Sequence, residues 1–515
     1  MLFTDLHYLS PALMNNGGVT LQKEIDNDNK MFDKASDVLN AIITKALADK
    51  PAGVLIPGDL TKNGEKYSHN EVAAALQQLV DAGIKVWVIP GNHDVNNTNA
   101  RSFAGGMSRT VSSPTSDEFA TIYANMGYAG ALERDPNSLS YVCEPLPGLR
   151  LIAIDDNLCK ERDKNKSLEA SGISAASLAW ILAKADEAKA ANKQVMVMTH
   201  HQVIPHIDDQ NALMGDAMIA GINELRPKFL EHGMRMFLTG HIHISNASVW
   251  YTENKTDSIV EVTTGSAIAY PCPVRYISMN KDCNALSFTT HNITKTASDS
   301  YFDTYALNRA KSSTRATVSC IIWHSWDEIS SMLSDYGATL DFDSFVDACY
   351  NGLGDVISDL TITMSKGNEQ KSGVTFNSIS SRIDSGSDKT VDVLLADQNW
   401  LVRLMAKSVV RGRFHDLLDT AMKSALADKT SMGTPLENCT DDLTLTALLP
   451  AVKPAGLTGD VNNDGKIDVA DINAVISIIL EMNVKSDFPG DADANCDGKV
   501  DVADVNALIN IILAN

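Results

Sequence analysis

The chain has 515 residues, too many for one hydrophobic core, so roughly two to four domains are expected. Its 44% hydrophobic and 21% charged residues are ordinary for a globular protein, and no run of eighteen apolar residues occurs, so no membrane span is expected. A net charge of −22 disfavours nucleic-acid polymers as partners, because binding them needs a basic face, and suits cation binding through carboxylates.

The chain opens on "MLFTDLHYLS", which has neither a charged n-region nor an apolar h-region. It reads as a strand already under way, as though an upstream segment had been trimmed. From Phe3 to about Val262, short apolar runs alternate with amphipathic stretches. "GVLIP", "KVWVI", "RLIAI", "VMVM" and "MFLT" are buried-strand runs, beginning at Gly53, Lys85, Arg150, Val195 and Met236. Leu39, Ile42, Ile43, Ala46 and Leu47, and then Val72, Leu76, Leu79 and Val80, recur at helical spacing. This alternation predicts an α/β domain with helices packed on sheet faces. After Gly240 the runs "ASVW", "SIVEVTT" and "VRYISM" stand close together and predict a second, antiparallel sheet.

Residues 298–447 read as a mostly helical accessory domain, with Trp400, Leu401, Leu404, Met405, Leu417, Leu418, Ala421 and Met422 at helical spacing. A Ser/Gly/Lys-rich stretch from Ser365 to Lys389 reads as a loop. "LLPAVKPAGLTG" is rich in Pro and Gly, and 448–458 is taken as a linker. The final segment, 459–515, is an internal repeat in which "GDVNNDGKIDVADINAVISIIL" is echoed by "DADANCDGKVDVADVNALINIIL". Eight scattered cysteines form no CxxC pair, so neither a thiolate zinc site nor a redox motif is expected, and spacing alone pairs none of them.

Five apolar runs end in Asp, Asn or His: Asp5 and His7, Asp59, Asn92-His93-Asp94, His200-His201, and His241 with His243. Ligands of an open α/β sheet collect at the carboxyl ends of its strands, so these clusters should converge. Carboxylate, carboxamide and imidazole donors suit Mn, Fe, Zn or Mg. Seven donors suffice for two ions when one carboxylate bridges, and such a pair serves phosphoester hydrolysis through an acidified water.

In its order D-x-H, G-D, G-N-H-D, H, G-H-x-H, the set resembles the calcineurin-like metallophosphoesterases over roughly residues 1–297. The resemblance implies a two-sheet sandwich flanked by helices. It assigns Asp5, His7 and His243 to one metal and Asn92, His200 and His241 to the other, with Asp59 bridging. His93 would then protonate the leaving group or stabilise the transition state, with Asp94 orienting its ring. The family ligates through the first histidine of a doublet, which favours His200; a strand one residue longer would present His201 instead. "GDLTKNGE" lacks the second Asp and the Arg of GDxVDRG, which argues against a protein phosphatase. Lys62 stands where purple acid phosphatases carry tyrosine. The motif looks more like the cyclic-nucleotide phosphodiesterase branch, as does "TGSAIAYPCPVRYISM". Within the latter, "AYPCPVRY" is either a Pro-stiffened connection or a pocket edge presenting Tyr270 or Arg275.

The repeat matches D-x-N-x-D-G-x-x-D-x-x-D twice. The first copy offers Asp460, Asn462, Asp464, Lys466 (through its carbonyl), Asp468 and Asp471; the second offers Asp493, Asn495, Asp497, Lys499 (likewise), Asp501 and Asp504. Each loop runs straight into an amphipathic helix, and two calcium ions are expected. The segment resembles a type I dockerin, a small all-α module that docks on cohesins. Val469-Ala470 and Val502-Ala503 stand where a Ser-Thr-like pair is usual, so either a different cohesin or the chain's own helical domain is the expected partner. A dockerin implies a secreted or cell-surface bacterial protein.

The expected function is hydrolysis of cyclic nucleotides or other small phosphodiesters. The alternatives are a phosphomonoesterase or nucleotidase, and a non-catalytic component of an extracellular complex. Retention of all seven donors and His93 speaks against the last.

Overall fold

The first apolar run, Met1–Thr4, lies at the centre of a sheet. The computed structural model describes residues 1–166, 171–206, 210, 217–280, 284–323, 326–335, 341–367, 376–427, 434–435, 442–449, 460–462, 466–480, 492, 494 and 499–514. Leu2 bridges Leu55 in parallel and Arg275 in antiparallel fashion. It thereby joins β1 (Gly53–Ile56) and β2 (Lys85–Val88), which are parallel, to another set of strands. A small hairpin follows, β3 (Arg101–Ser102) with β4 (Arg109–Thr110).

The larger sheet takes β5 (Glu133–Arg134), β6 (Tyr141–Leu146), β7 (Leu149–Ala153), β8 (Gln194–Met198), β9 (Met236–Thr239), β10 (Asn246–Tyr251) and β11 (Ser258–Thr263). β12 (Pro273–Met279) and β13 (Ala285–Asn292) return antiparallel to the first sheet. Two late strands, β14 (Thr434–Pro435) and β15 (Thr444–Leu448), complete the edges. The larger sheet then runs β14-β10-β11-β9-β8-β7-β6-β5, and β12-β13-β15 extends the other. The runs "ASVW" and "SIVEVTT", expected to begin a second sheet, instead join the larger sheet, "SIVEVTT" as β11 beside β9 and "ASVW" as β10 beside β11; only "VRYISM" lies in the other sheet.

Side-chain alternation divides the layers. Leu151, Met196, Met198, Met236 and Leu238 join one apolar cluster with Leu2, Val54, Ile56 and Val88 of the other sheet. The intervening Ile152, Val195, Val197 and Phe237 form a separate cluster with Ile181, Ala185 and Phe229 of helices Ala175–Ala190 and Ile222–Glu231. The result is the expected two-sheet sandwich flanked by helices.

Residues beyond Phe302 are mostly helical, with a third core of Val318, Phe345, Leu353, Ile357, Ile379, Ile383, Val410 and Phe414. Two expectations need correction. Within the stretch 365–389, residues 376–389 are not a loop but belong to helix Phe376–Leu394, while 368–375 lie outside the described residues. Ile379, Ile383 and Val391 are buried against helix Phe342–Lys366, and that packing overrides the poor helix propensity of Ser, Gly and Asp. The boundary at 447 also cuts through β15, whose Leu445 and Ala447 are buried while their neighbours face outward. The chain thus leaves the sandwich for the helices and returns to both of its sheets.

The returning segment is tied down beside β12. Asp442 donates its backbone N–H to Gly367 O (2.9 Å), and its carbonyl accepts from Arg275 Nη1 (2.6 Å). Arg275 is fully buried and also donates to Thr263 O (3.0 Å), so it clamps backbone and does not edge a pocket. Tyr270 is half-buried against the main core. Met364, near the end of helix Phe342–Lys366, packs on Ile242 and Ile244. The helical unit therefore touches the loop that carries His241 and His243.

In the terminal repeat, Val461, Ala474, Val475, Ala492, Ala494 and Leu508 form a small core beneath helices Val469–Ile479 and Val502–Ala514. Most of the linker at 448–458 lies outside the described residues. Cys143, Cys159, Cys272 and Cys349 are free and buried.

Candidate metal centre

Each expected donor stands just past a strand end, on backbone that has turned sharply. Asp5, His7, Asp59, His241 and His243 all have positive φ, at 52°, 37°, 50°, 65° and 58°. Such left-handed residues cost about 1–3 kcal/mol each and gather at functional sites. Two glycines make room for the carboxylates. A Cβ on Gly91 would collide with the carboxylate and backbone nitrogen of Asp59, and one on Gly240 with the carboxylate of Asp5.

The turns bring the predicted donors into two sets. In one, His7 Nε2 lies 3.1 Å from His243 Nε2, and the latter lies 3.3 Å from Asp5 Oδ1. In the other, His200 Nε2 lies 3.0 Å from Asn92 Oδ1 and 3.2 Å from His241 Nδ1. Asp59 Oδ2 stands between them, 3.4 Å from both His7 Nε2 and His200 Nε2. His200 donates through Nδ1 to Pro57 O (2.8 Å), which turns Nε2 into the cluster. His201 instead hydrogen-bonds through Nδ1 to Asp156 Oδ2 (3.1 Å), so the doublet presents its first member.

The donor atoms fit cations. Metal–ligand bonds of about 2.1 Å place neighbouring ligand atoms about 3.0–3.4 Å apart, matching most separations within the two sets. Among themselves these atoms are chiefly lone-pair bearers with few protons to share, so a positive charge at their centre satisfies them together. The local field agrees. Burial disfavours the His200 imidazolium, yet Asp59, Asp5 and Asp156 raise that group to about 10. Asp59 is itself held well below the usual carboxylate range by His200, His93 and His7, despite its burial.

His93 lies on the open side, with its side chain 29% exposed. Its Nε2 is 4.0 Å from Asp59 Oδ2, and its backbone N–H donates to Asp59 Oδ1 (3.0 Å). Burial, with Lys30 and the neighbouring imidazoles, pushes it down to about 4 against the pull of Asp59. Asp94 does not orient this ring. Its carboxylate accepts the backbone N–H groups of Leu60 (3.1 Å), Thr61 (3.0 Å) and Gly91 (2.9 Å), pinning the Asp59 turn to the Asn92 turn. Burial and Asp59 push Asp94 up to about 7, which makes it a poor counter-charge for an imidazolium. The ring partner is Asn63, whose Oδ1 lies 2.8 Å from His93 Nδ1.

Two other contributors escaped the sequence reading. Asp156, fully buried, accepts the N–H groups of His200 (3.2 Å) and His201 (2.8 Å) and so shapes their turn. It follows the run "RLIAI", and the strand-end rule applied there would have found it. Arg162 donates to Asn92 O (2.9 Å) from the short helix Cys159–Lys164, which no motif announces.

Of the predicted calcium donors, Asp464, Asp493, Asn495 and Asp497 lie outside the described residues. Asp471 is buried and closes its loop, accepting from Val461 N (2.8 Å), Asn462 N (3.2 Å) and Asp468 N (2.9 Å). Asp504 takes the N–H of Asp501 (2.8 Å) in the same way. Asp468 and Asp501 accept from Ala470 N (2.8 Å) and Ala503 N (2.7 Å) at the starts of their helices. Asp460 is buried, while Lys466 and Lys499 are exposed.

Residues 1–245 match the family profile of the calcineurin-like phosphoesterases, and residues 458–513 that of the dockerin type I domain. No curated protein matches the sequence. Among solved structures, a dimetal phosphatase from Danio rerio is similar at 12% identity and a TM-score of 0.39, over 56% of this chain and 95% of that one. The sulfate thiohydrolase SoxB of Thermus thermophilus, in complex with glycerol, is similar at 13% identity and a TM-score of 0.26, over 56% of this chain and 52% of that one.

Proposed function

We propose that this chain, a calcineurin-like phosphoesterase domain over residues 1–245 and a type I dockerin over 458–513, is a secreted or cell-surface bacterial phosphodiesterase acting on cyclic nucleotides or other small diesters. Metal-dependent phosphoester hydrolysis is the activity of the first domain. The observation that carries the reading of a two-metal centre is the single Asp59 oxygen shared between two donor sets.

Asp5, His7 and His243 would hold one divalent ion, Asn92, His200 and His241 the other, and Asp59 both. Bound there, Mn, Fe or Zn would neutralise phosphoryl charge and acidify a water molecule. The chain's own groups do the rest. Pro57 O fixes the His200 ring, Asp156 fixes the His200–His201 turn, and Asp94 holds the two acidic turns in register. His93, the half-buried imidazole on the open side, supplies a proton to the departing oxygen. Lys62 is nearly buried, pairs with Glu24 (3.2 Å) and lies over Phe32, so it does not stand in for the arginine of a protein phosphatase. This favours small diesters over phosphoproteins. The test is a panel of bis-p-nitrophenyl phosphate, 2′,3′- and 3′,5′-cyclic nucleotides and matched monoesters, offered to Mn-loaded protein. Diesters should be cleaved at least ~10-fold faster; preference for monoesters would make the enzyme a nucleotidase-type phosphatase.

At the other end, Asp460, Asn462, Asp464, Lys466, Asp468 and Asp471 would hold one calcium ion, and Asp493, Asn495, Asp497, Lys499, Asp501 and Asp504 a second. Val469 and Val502 are 63% and 62% exposed, so the described chain leaves them open. That favours a cohesin over intramolecular docking. A core this small does not hold without its ions. Chelating calcium should therefore unfold helices Val469–Ile479 and Val502–Ala514 and expose the repeat to protease, while the phosphoesterase unit stays folded. A repeat that resists protease equally with and without calcium would refute this.

A further inference from the structure

We propose that Asn63 is the positioning residue of this site: it holds the Nδ1–H of His93, so that the ring offers Nε2 alone to the leaving-group oxygen. The inference rests on the phosphodiesterase reading above and adds a residue to it. The contact is direct, with Asn63 Oδ1 2.8 Å from His93 Nδ1.

Asn63 is itself anchored. Its backbone N–H donates to Glu65 Oε2 (2.9 Å), and Glu65 is fully buried, its other oxygen accepting from Arg101 N (3.2 Å). From the other side, Asn97 Nδ2 donates to His93 O (3.0 Å). Ring and partner are thus fixed on two separately anchored stretches of backbone. A ring free to turn about Cβ–Cγ would spend part of its time with Nε2 away from the substrate. Asp94 is occupied by three backbone N–H groups and cannot take this part.

In the step concerned, a water oxygen bonds to phosphorus and the bond from phosphorus to the leaving oxygen breaks. The electron pair stays on the leaving oxygen, which takes the proton from His93 Nε2. The ring enters the step protonated on both nitrogens, and the proton lost by the water restores that imidazolium for the next turnover. Nδ1 keeps its hydrogen throughout, because Asn63 Oδ1 holds it.

The test compares leaving groups in Mn-loaded protein. An acidic phenol leaves without a proton, whereas an alkyl or ribosyl oxygen needs one. Asn63→Ala should lower kcat/KM for a cyclic nucleotide by roughly 30-fold, within the range seen when an outer partner of an active-site imidazole is removed. It should lower that for bis-p-nitrophenyl phosphate less than about 3-fold, with metal content unchanged. Asn63→Asp, which keeps the acceptor, should recover most of the loss. Nitrogen NMR of histidine-labelled protein should show the His93 Nδ1–H signal in the parent and in Asn63→Asp, but not in Asn63→Ala. Equal slowing of both substrates, slowing of neither, or no rescue by aspartate would overturn the assignment while leaving the phosphodiesterase reading intact. A parent protein that cleaves neither substrate would remove that reading, and this assignment with it.

Discussion

Asp59→Asn is expected to cost the protein at least one of its two divalent ions and to reduce turnover roughly 10³-fold or more. The substitution keeps the side chain's shape and leaves Oδ1 to accept the His93 N–H, now at 3.0 Å. It removes the charge and converts one oxygen into an amide nitrogen. If that nitrogen takes the place of Oδ2, it puts hydrogens where His7 and His200 each approach to 3.4 Å. Both donor sets lose their common member at once, so the damage is not confined to one ion. Metal stoichiometry by elemental analysis, with turnover of bis-p-nitrophenyl phosphate, checks this. A variant that keeps two ions per chain and ordinary turnover would show that Asp59 bridges nothing.

His93→Ala is expected to separate chemistry from metal binding. Proton transfer by a positioned imidazole is worth about 10²–10⁴ in rate, and a loss of that size is expected for substrates with poor leaving groups. Metal content should stay near the parent's. His93 Nε2 lies 4.0 Å from Asp59 Oδ2, farther than the 3.4 Å of His7 and His200, and its Nδ1 is engaged by Asn63. His93 does form a compact triple with His7 and Asp59, so ligation is the alternative to be met. Loss of an ion together with activity would make His93 a ligand and would reassign the proton donor.

Most of this centre was legible because its chemistry obeys a simple rule of sheets: polar residues at the ends of apolar runs face one another. That rule found Asp5, His7, Asp59, Asn92, His200, His241 and His243, and the structure gathers all seven. It does not tell a side chain that faces the cavity from one that braces a turn. Asn63 and Asp94 illustrate the limit. The family resemblance implied Asp94 as the partner of His93, but successive residues in a tight turn point apart, and the partner comes from thirty residues earlier. The left-handed backbone at five of the seven donors was equally hidden, since Asp and His do not announce it as glycine does. In the helical part, serines and glycines masked Phe376–Leu394, whose helical state depends on neighbours far along the chain. The strand "TLTAL" did carry its alternation openly, but it stands at the end of a stretch whose other signals are helical.

That late strand decides how the enzyme can be divided. A minimal hydrolase made by stopping after Asn292 would lose the edge strands of both sheets, the Asp442 backbone carbonyl that Arg275 grips, and the helix end packed against Ile242. Deleting the helices instead calls for a short splice from β13 into β15, across strands that already lie side by side. Among the described residues up to Leu449 the polypeptide is therefore not modular, and the helices are embroidery stitched into the catalytic cloth at both ends.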